Sequence, residues 1–310
     1  MNILDLYHAS ISKFNFDALQ QRASEHRGVQ CTGYEAIAQG DTIQVDTEID
    51  DIFQELIARL SGSRSGQDGG EPNEILAYRT KSEVATMQSV KAHTSVPHVH
   101  LAEFDATNAV GTRFMLTDRI VGSSLGEVWY NLQRESREKV ARQLFGFQAE
   151  LLKLEFPFIG SLLDEAGTVG PLSHSCTRPS LLGPDCGPFK STKDYMLANV
   201  YAELKFVQER PQDWQKQREV GKYCGGLEDT SLEDAQNWLS LLAEGISGLQ
   251  DDILDPPDNP YVLFHDDFQL ANIVVSADNP SKVVGLLDWE GSRICPVWDN
   301  RRLCGNVGLE

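Results

Sequence analysis

The segment from Phe264 to Trp289 constrains the fold more than any other part of the chain. It reads Phe264-His265-Asp266-Asp267-Phe268-Gln269-Leu270-Ala271-Asn272, then an apolar run, then Leu286-Leu287-Asp288-Trp289. Val262-Leu263-Phe264 is a short apolar run ending at the histidine. Ile273-Val274-Val275 and Lys282 to Leu287 have strand length and strand composition. Between them Ser276-Ala277-Asp278-Asn279-Pro280-Ser281 has the composition of a turn. An antiparallel hairpin is the simplest arrangement. It closes at the Asp-Asn-Pro turn, and its open end brings Asn272 and Asp288 together although they lie sixteen positions apart.

Asn272 and Asp288 are hard oxygen ligands of the kind Mg²⁺ takes one or two at a time, completing its shell with water and phosphate oxygens. Asp267 lies on the loop that enters the hairpin. A carboxylate there can accept a hydroxyl proton, or hold the hydroxyl in line with a phosphoryl group. Each residue alone is an ordinary loop residue. The joint pattern, His-x-Asp-x4-Asn followed by a hairpin and an aspartate at the strand exit, is far more specific.

That pattern resembles the aminoglycoside phosphotransferase family in its fungal form, which shares the protein-kinase-like fold. The family's His-Gly-Asp-x4-Asn stands here as His265-Asp266-Asp267-x4-Asn272, and its Ile-Ile-Asp-Trp-Glu as Leu286-Leu287-Asp288-Trp289-Glu290. The resemblance implies that Asp267 is the catalytic carboxylate, that Asn272 and Asp288 hold the metal, and that His265 shapes the loop. Asp266 stands where the family has a small residue. A second acid beside Asp267 raises its pKa if both point the same way.

The resemblance extends through the amino-terminal part. Cys31 to Val45 is similar to the turn that covers nucleotide phosphates, where glycine lets backbone N–H groups approach. Only Gly40 of the family's glycine pair is present, followed by Asp41. Phe53 to Leu60 reads as a strand, and Arg59 on it corresponds to the basic residue that holds the α- and β-phosphates; Arg79 is the reserve candidate. Thr80 to Val90 opens a helix with Val84, Met87 and Val90 on one face. Its Ser-Glu-Val-Ala-Thr-Met matches the family, which makes Glu83 the brace of the basic residue. Thr80-x-x-Glu83 also reads as a capping box, in which Glu83 bonds a backbone N–H instead. Phe114 to Gly122 resembles the interlobe connector, so adenine is expected on the backbone near Asp118 and Ile120.

Beyond Gly122 the strongest periodicity is Glu135 to Phe156, where Val140, Leu144, Phe147, Leu151 and Leu154 recur at three and four. Pro157 to Thr230 is rich in Gly and Pro and reads as long loops around an acceptor. Ser231 then caps a helix expected to bury Leu232, Ala235, Trp238, Leu239, Leu242, Ile246 and Leu249. Pro296-Val297-Trp298-Asp299 resembles the family's tail.

The resemblance therefore implies a bilobal α+β fold. A small antiparallel-sheet lobe, 1–118, binds nucleotide, and a mainly helical lobe, 119–310, carries catalysis and the acceptor. The implied activity is transfer of the γ-phosphoryl group of ATP, with Mg²⁺, to a small-molecule hydroxyl. The alternative is a kinase-like pseudoenzyme that binds nucleotide or a protein partner. Acids outnumber bases 46 to 27, a net charge of −19. That argues against nucleic acid, whose phosphates need a basic face. It serves solubility, or attracts a cationic acceptor if it gathers at a cleft. No apolar run has membrane-spanning length, and Met1-Asn2-Ile3-Leu4-Asp5 lacks the basic start of a signal peptide. Six cysteines with no Cys-x-x-Cys pair fit a reducing compartment, so the expectation is a cytoplasmic protein without a membrane partner.

Overall fold

In the computed structural model, residues 14–28, 30–39, 42–49, 56–61, 73–94, 99–173, 186–219, 231–256 and 260–299 are described. Helix α1 (Phe16–Arg27) starts where Asn15 accepts a hydrogen bond from the Ala18 N–H, and it ends at Gly28, whose positive φ suits glycine. Strands β1 (Cys31–Gln39), β2 (Thr42–Ile49) and β3 (Leu56–Ser61) follow. Helix α2 (Asn73–Lys91), β4 (Val99–Glu103) and β5 (Arg113–Asp118) complete this part. The strands form one antiparallel sheet in the order β1-β2-β3-β5-β4. Alternation puts Leu56, Ala58 and Leu60 inside, where with Leu19, Ala23, Phe114 and Leu116 they make a small core.

Helix α2 begins seven residues before Thr80, so Thr80 is no N-cap and the capping-box expectation fails. Its hydroxyl instead donates to the Leu76 carbonyl one turn back. Val84, Met87 and Val90 are buried as the spacing predicts, but they join the large core of the following segment rather than the small one.

The chain then forms β6 (Ser123–Ser124), a short α3 (Leu125–Val128) and the long α4 (Arg134–Leu151). Short strands β7 (Glu155–Phe156), β8 (Ser161–Leu162) and β9 (Val169–Gly170) lead to helices α5 (Thr192–Glu209) and α6 (Pro211–Glu219). Helix α7 (Leu232–Gly248), a short α8 (Asp251–Leu254), and strands β10 (Tyr261–Phe264), β11 (Ile273–Val275), β12 (Val283–Leu286) and β13 (Arg293–Pro296) follow. Val140, Leu144 and Leu151 of α4 are buried in the main core with Trp129 and Trp289. Ser231 does cap α7, accepting from the Asp234 N–H. Trp238, however, is 58% exposed and Leu249 lies past the helix end. Ala235, Leu239, Ala243 and Ile246 form the stripe that packs on α5, and Trp238 falls outside it.

The central hairpin forms as its composition predicts. Strands β11 and β12 pair Ile273 with Leu286 and Val274 with Gly285. Asn279 closes the turn, its carbonyl accepting from the Lys282 N–H at 2.9 Å and its side chain from the Ser281 hydroxyl at 2.6 Å. Strand β6 adds a third strand, pairing Ser124 with Val274. Gly122 just before it is required by close approach, because a Cβ there would lie 2.3 Å from the Val275 carbonyl oxygen.

Candidate functional site

Asp267, Asn272 and Asp288 meet at the hairpin mouth. Strand β10 is buried at every position, so the chain leaves it in a fixed direction at His265. His265 is buried, and its Nε2 lies 2.9 Å from the Leu287 carbonyl oxygen, which accepts its proton. The imidazole meets Trp289 edge-on, with ring centres 4.6 Å apart. Burial drops its pKa to about 4, which keeps the ring neutral. His265 thus ties the loop to the segment that carries Asp288.

Within the loop, the Asn272 amide donates to both the backbone oxygen of Asp267, at 2.9 Å, and its Oδ2, at 2.8 Å. Gln269 donates to the same Oδ2 at 2.7 Å. The Asn272 NH₂ is spent on Asp267, which leaves its side-chain oxygen as the acceptor end. The Leu287 N–H donates to the Asn272 carbonyl at 2.7 Å, fixing the two hairpin arms across from each other. Asp288 follows with φ +62°, a left-handed conformation that aspartate tolerates better than most residues. Burial raises the Asp288 pKa against the pull of Arg59, and the charges of Glu290 and Asp267 raise it further. Two carboxylates near enough to repel each other, with an amide oxygen beside them, are a donor set that a small divalent cation fits.

Arg59 on β3 faces this cluster. One end of its guanidinium donates to Glu83 and lies 3.8 Å from Asp288; the other donates to Glu290 at 2.7 Å. Burial opposes the arginine's charge, but Glu83, Glu290 and Asp288 outweigh it and hold the pKa above its usual value. Glu83 is buried on α2, and loss of water lifts its pKa to about 7 despite the pull of Arg59. Arg59 and Glu83 therefore meet, and the brace rather than the cap is the arrangement present. Arg79, the reserve candidate, is turned away and donates to the Ser173 carbonyl at 3.0 Å.

The other expected positions are spread around this centre. Gly40 lies outside the described residues. Asp118 ends β5, and its carboxylate pairs with Arg27 at 2.7 Å. Ile120 packs on β12: a Cβ at Gly285 would fall 2.1 Å from its Cδ1. Asp266, the second acid beside Asp267, pairs with Arg293 on β13. Sequence reasoning placed Glu290 in the Asp-Trp-Glu motif but gave it no role, and nothing in the sequence marks Gln269.

The model of the family described as "Phosphotransferase enzyme family" matches residues 72–298. A subtelomeric hrmA-associated cluster protein of Aspergillus fumigatus is 25% identical over 262 residues, 71% of this chain and 51% of that protein. The altered inheritance of mitochondria protein 9, mitochondrial, of Kluyveromyces lactis is 26% identical over 274 residues, 73% of this chain and 43% of that protein. The chain spans about half the length, or less, of these curated relatives. Among solved structures, the streptomycin–ATP–APH(2")-IIa ternary complex superposes with a TM-score of 0.50 at 12% identity, over 89% of this chain and 71% of that chain.

Proposed function

Because this chain belongs to the phosphotransferase enzyme family and has its bilobal, protein-kinase-like α+β fold, we propose that it transfers the γ-phosphoryl group of ATP to the hydroxyl of a small molecule. The observation that carries the reading is the convergence of Asp267, Asn272 and Asp288 at one hairpin mouth opposite the Arg59–Glu83 pair. Asp267 is the residue that orients the acceptor hydroxyl and takes its proton. Its Oδ2 is held by Asn272 and Gln269, so the carboxylate keeps one orientation. Arg59, braced by Glu83, holds the α- and β-phosphates. The backbone near Asp118 and Ile120 takes the adenine, and the family resemblance assigns the phosphate-covering turn to Gly40, which lies outside the described residues. Asn272 and Asp288 would hold Mg²⁺, which supplies positive charge against the phosphate oxygens. Positioning and electrostatics account for most of such catalysis. We set the boundary between the nucleotide lobe, 1–118, and the acceptor lobe, 119–310, directly after β5.

The acid excess at the site favours an acceptor carrying amines. Solved structures of the same fold include complexes with streptomycin and with gentamicin, which are of that class. A second reading is favoured by one observation. Arg59 already has three carboxylates around it, which suits a site that binds a nucleotide weakly or a protein partner.

Two measurements separate the readings. Millimolar Mg-ATP raises the melting temperature if nucleotide binds the folded chain. Labelled ATP offered with amines, sugars and peptides then yields a phosphorylated small molecule. No thermal shift together with no product refutes the kinase reading.

A further inference from the structure

Asp266 replaces the small residue expected before the catalytic carboxylate, and the structure gives it a partner. Its Oδ1 accepts from the Arg293 guanidinium at 2.5 Å. Arg293 starts β13, directly opposite Phe264 in the β10 register, and its guanidinium lies 5.9 Å from the centre of the Phe264 ring. The Arg293 side chain is 15% exposed and that of Asp266 35%, so the pair is partly shielded from water. The other end of the guanidinium lies 3.9 Å from Asp299, which accepts from the Tyr195 hydroxyl of α5 at 3.0 Å. A chain of polar contacts thus runs from the loop through β13 to α5. On the other side His265 is bonded to Leu287. The residues preceding Asp267 are anchored in two directions, one to the hairpin arm and one to β13.

We propose that Asp266 is a positioning residue, holding the backbone of Asp267 through Arg293. The proposal rests on the phosphotransferase reading for its kinetic consequence, though not for its structural one. The probe is Mg-ATP hydrolysis, with water as acceptor, in the full chain. Asp266→Asn is expected to lower kcat about ten- to a hundredfold with the KM for ATP changed less than about twofold, because a small misplacement of a reacting group slows chemistry more than binding. Arg293→Met should do the same, and the double variant should be no worse than either single, as coupled partners require. Arg293→Lys, which keeps the charge, should recover part of the rate. Hydrogen exchange of the 265–272 amides should rise in both single variants. Unchanged kcat, a change in KM alone, or additive losses overturn the proposal. If the wild type hydrolyses no ATP and shows no Mg-ATP thermal shift, the phosphotransferase reading fails. The exchange data then still decide the clamp, and unchanged exchange in Asp266→Asn overturns it.

A second inference rests on different atoms. Among the described residues, His265 Nδ1 and Gln148 Oε1 are both buried without a hydrogen-bond partner, and both residues line one cavity of about 10 Å³ with Leu151, Leu263 and Phe268. That volume is close to what one water needs. With its proton on Nε2 toward Leu287, the His265 ring offers Nδ1 as an acceptor, and Gln148 Oε1 is an acceptor too. A water has two protons to give. We infer a single buried water that donates to both and joins α4 to the loop. A crystal structure at high resolution should show it within about 3 Å of both atoms. Gln148→Leu, which removes one acceptor, should then destabilise the fold and displace the water. An empty cavity, a direct Gln148–His265 bond, or a Gln148→Leu variant more stable than wild type overturns the inference.

Discussion

Replacing Glu83 with glutamine is expected to stabilise the protein at alkaline pH. Loss of water lifts the Glu83 carboxyl from 4.5 to about 7. Between those values the folded protein holds a proton that the unfolded chain has released. Stability therefore falls as pH rises through this window, and the loss is complete above about pH 7. At about 1.4 kcal/mol per pH unit the full interval corresponds to roughly 3 kcal/mol. Glutamine has nearly the same shape and does not ionise, so the variant lacks this dependence. Its stability relative to wild type should improve by roughly 2–3 kcal/mol between pH 5 and pH 8. The cause is that a buried ion pair need not repay the desolvation of its members. Arg59 is not orphaned by the change, since Glu290 and Asp288 remain beside it. His265 pulls the other way. Burial lowers its pKa from 6.5 to about 4, so its contribution is complete above 6.5 and lost as pH falls toward 4. It is common to both proteins and cancels in the difference. Urea denaturation of both at several pH values measures the effect. A difference that does not vary with pH, or one that turns against the variant as pH rises, refutes the reasoning.

Three further outcomes follow from the same geometry. Asp267→Asn should reduce phosphoryl transfer by about 10²–10⁴-fold while the Mg-ATP thermal shift persists; full retained activity would remove Asp267 from the mechanism. Asp288→Asn should keep the left-handed turn, whereas Asp288→Ala should be less stable than Asp288→Asn by about 1 kcal/mol; thermal melts of the two variants compare them directly, and equal stability would count against backbone strain at this position. Gly122→Ala forces a Cβ against the Val275 carbonyl and should cost about 1–3 kcal/mol, read by denaturation; a neutral effect would mean that β6 moves aside freely.

The loop of His265 to Asn272 and the hairpin behind it were legible in the sequence, because strand composition and an Asn-Pro turn fix local geometry over a few residues. The same holds for α4, where three- and four-residue spacing forces one apolar face inward. Helix α7 shows the limit. Spacing alone assigned Trp238 to the buried face, but the stripe that α5 covers is narrower than the apolar residues α7 carries.

Sequence also proposed two roles for Glu83, brace or cap, and had no means to choose. Where α2 begins decided it: the helix starts at Asn73, so position 83 lies in its interior and faces β3 rather than a free helix end. Likewise, an acid next to Asp267 reads as a repulsive neighbour until Arg293, twenty-seven residues away, is brought alongside Asp266 by the pairing of β10 with β13. Local composition set the chain direction and the chemistry available at the hairpin mouth. Which charges face each other was decided by packing, since Coulomb energy depends on separation in space and on burial, and neither is written in residue order.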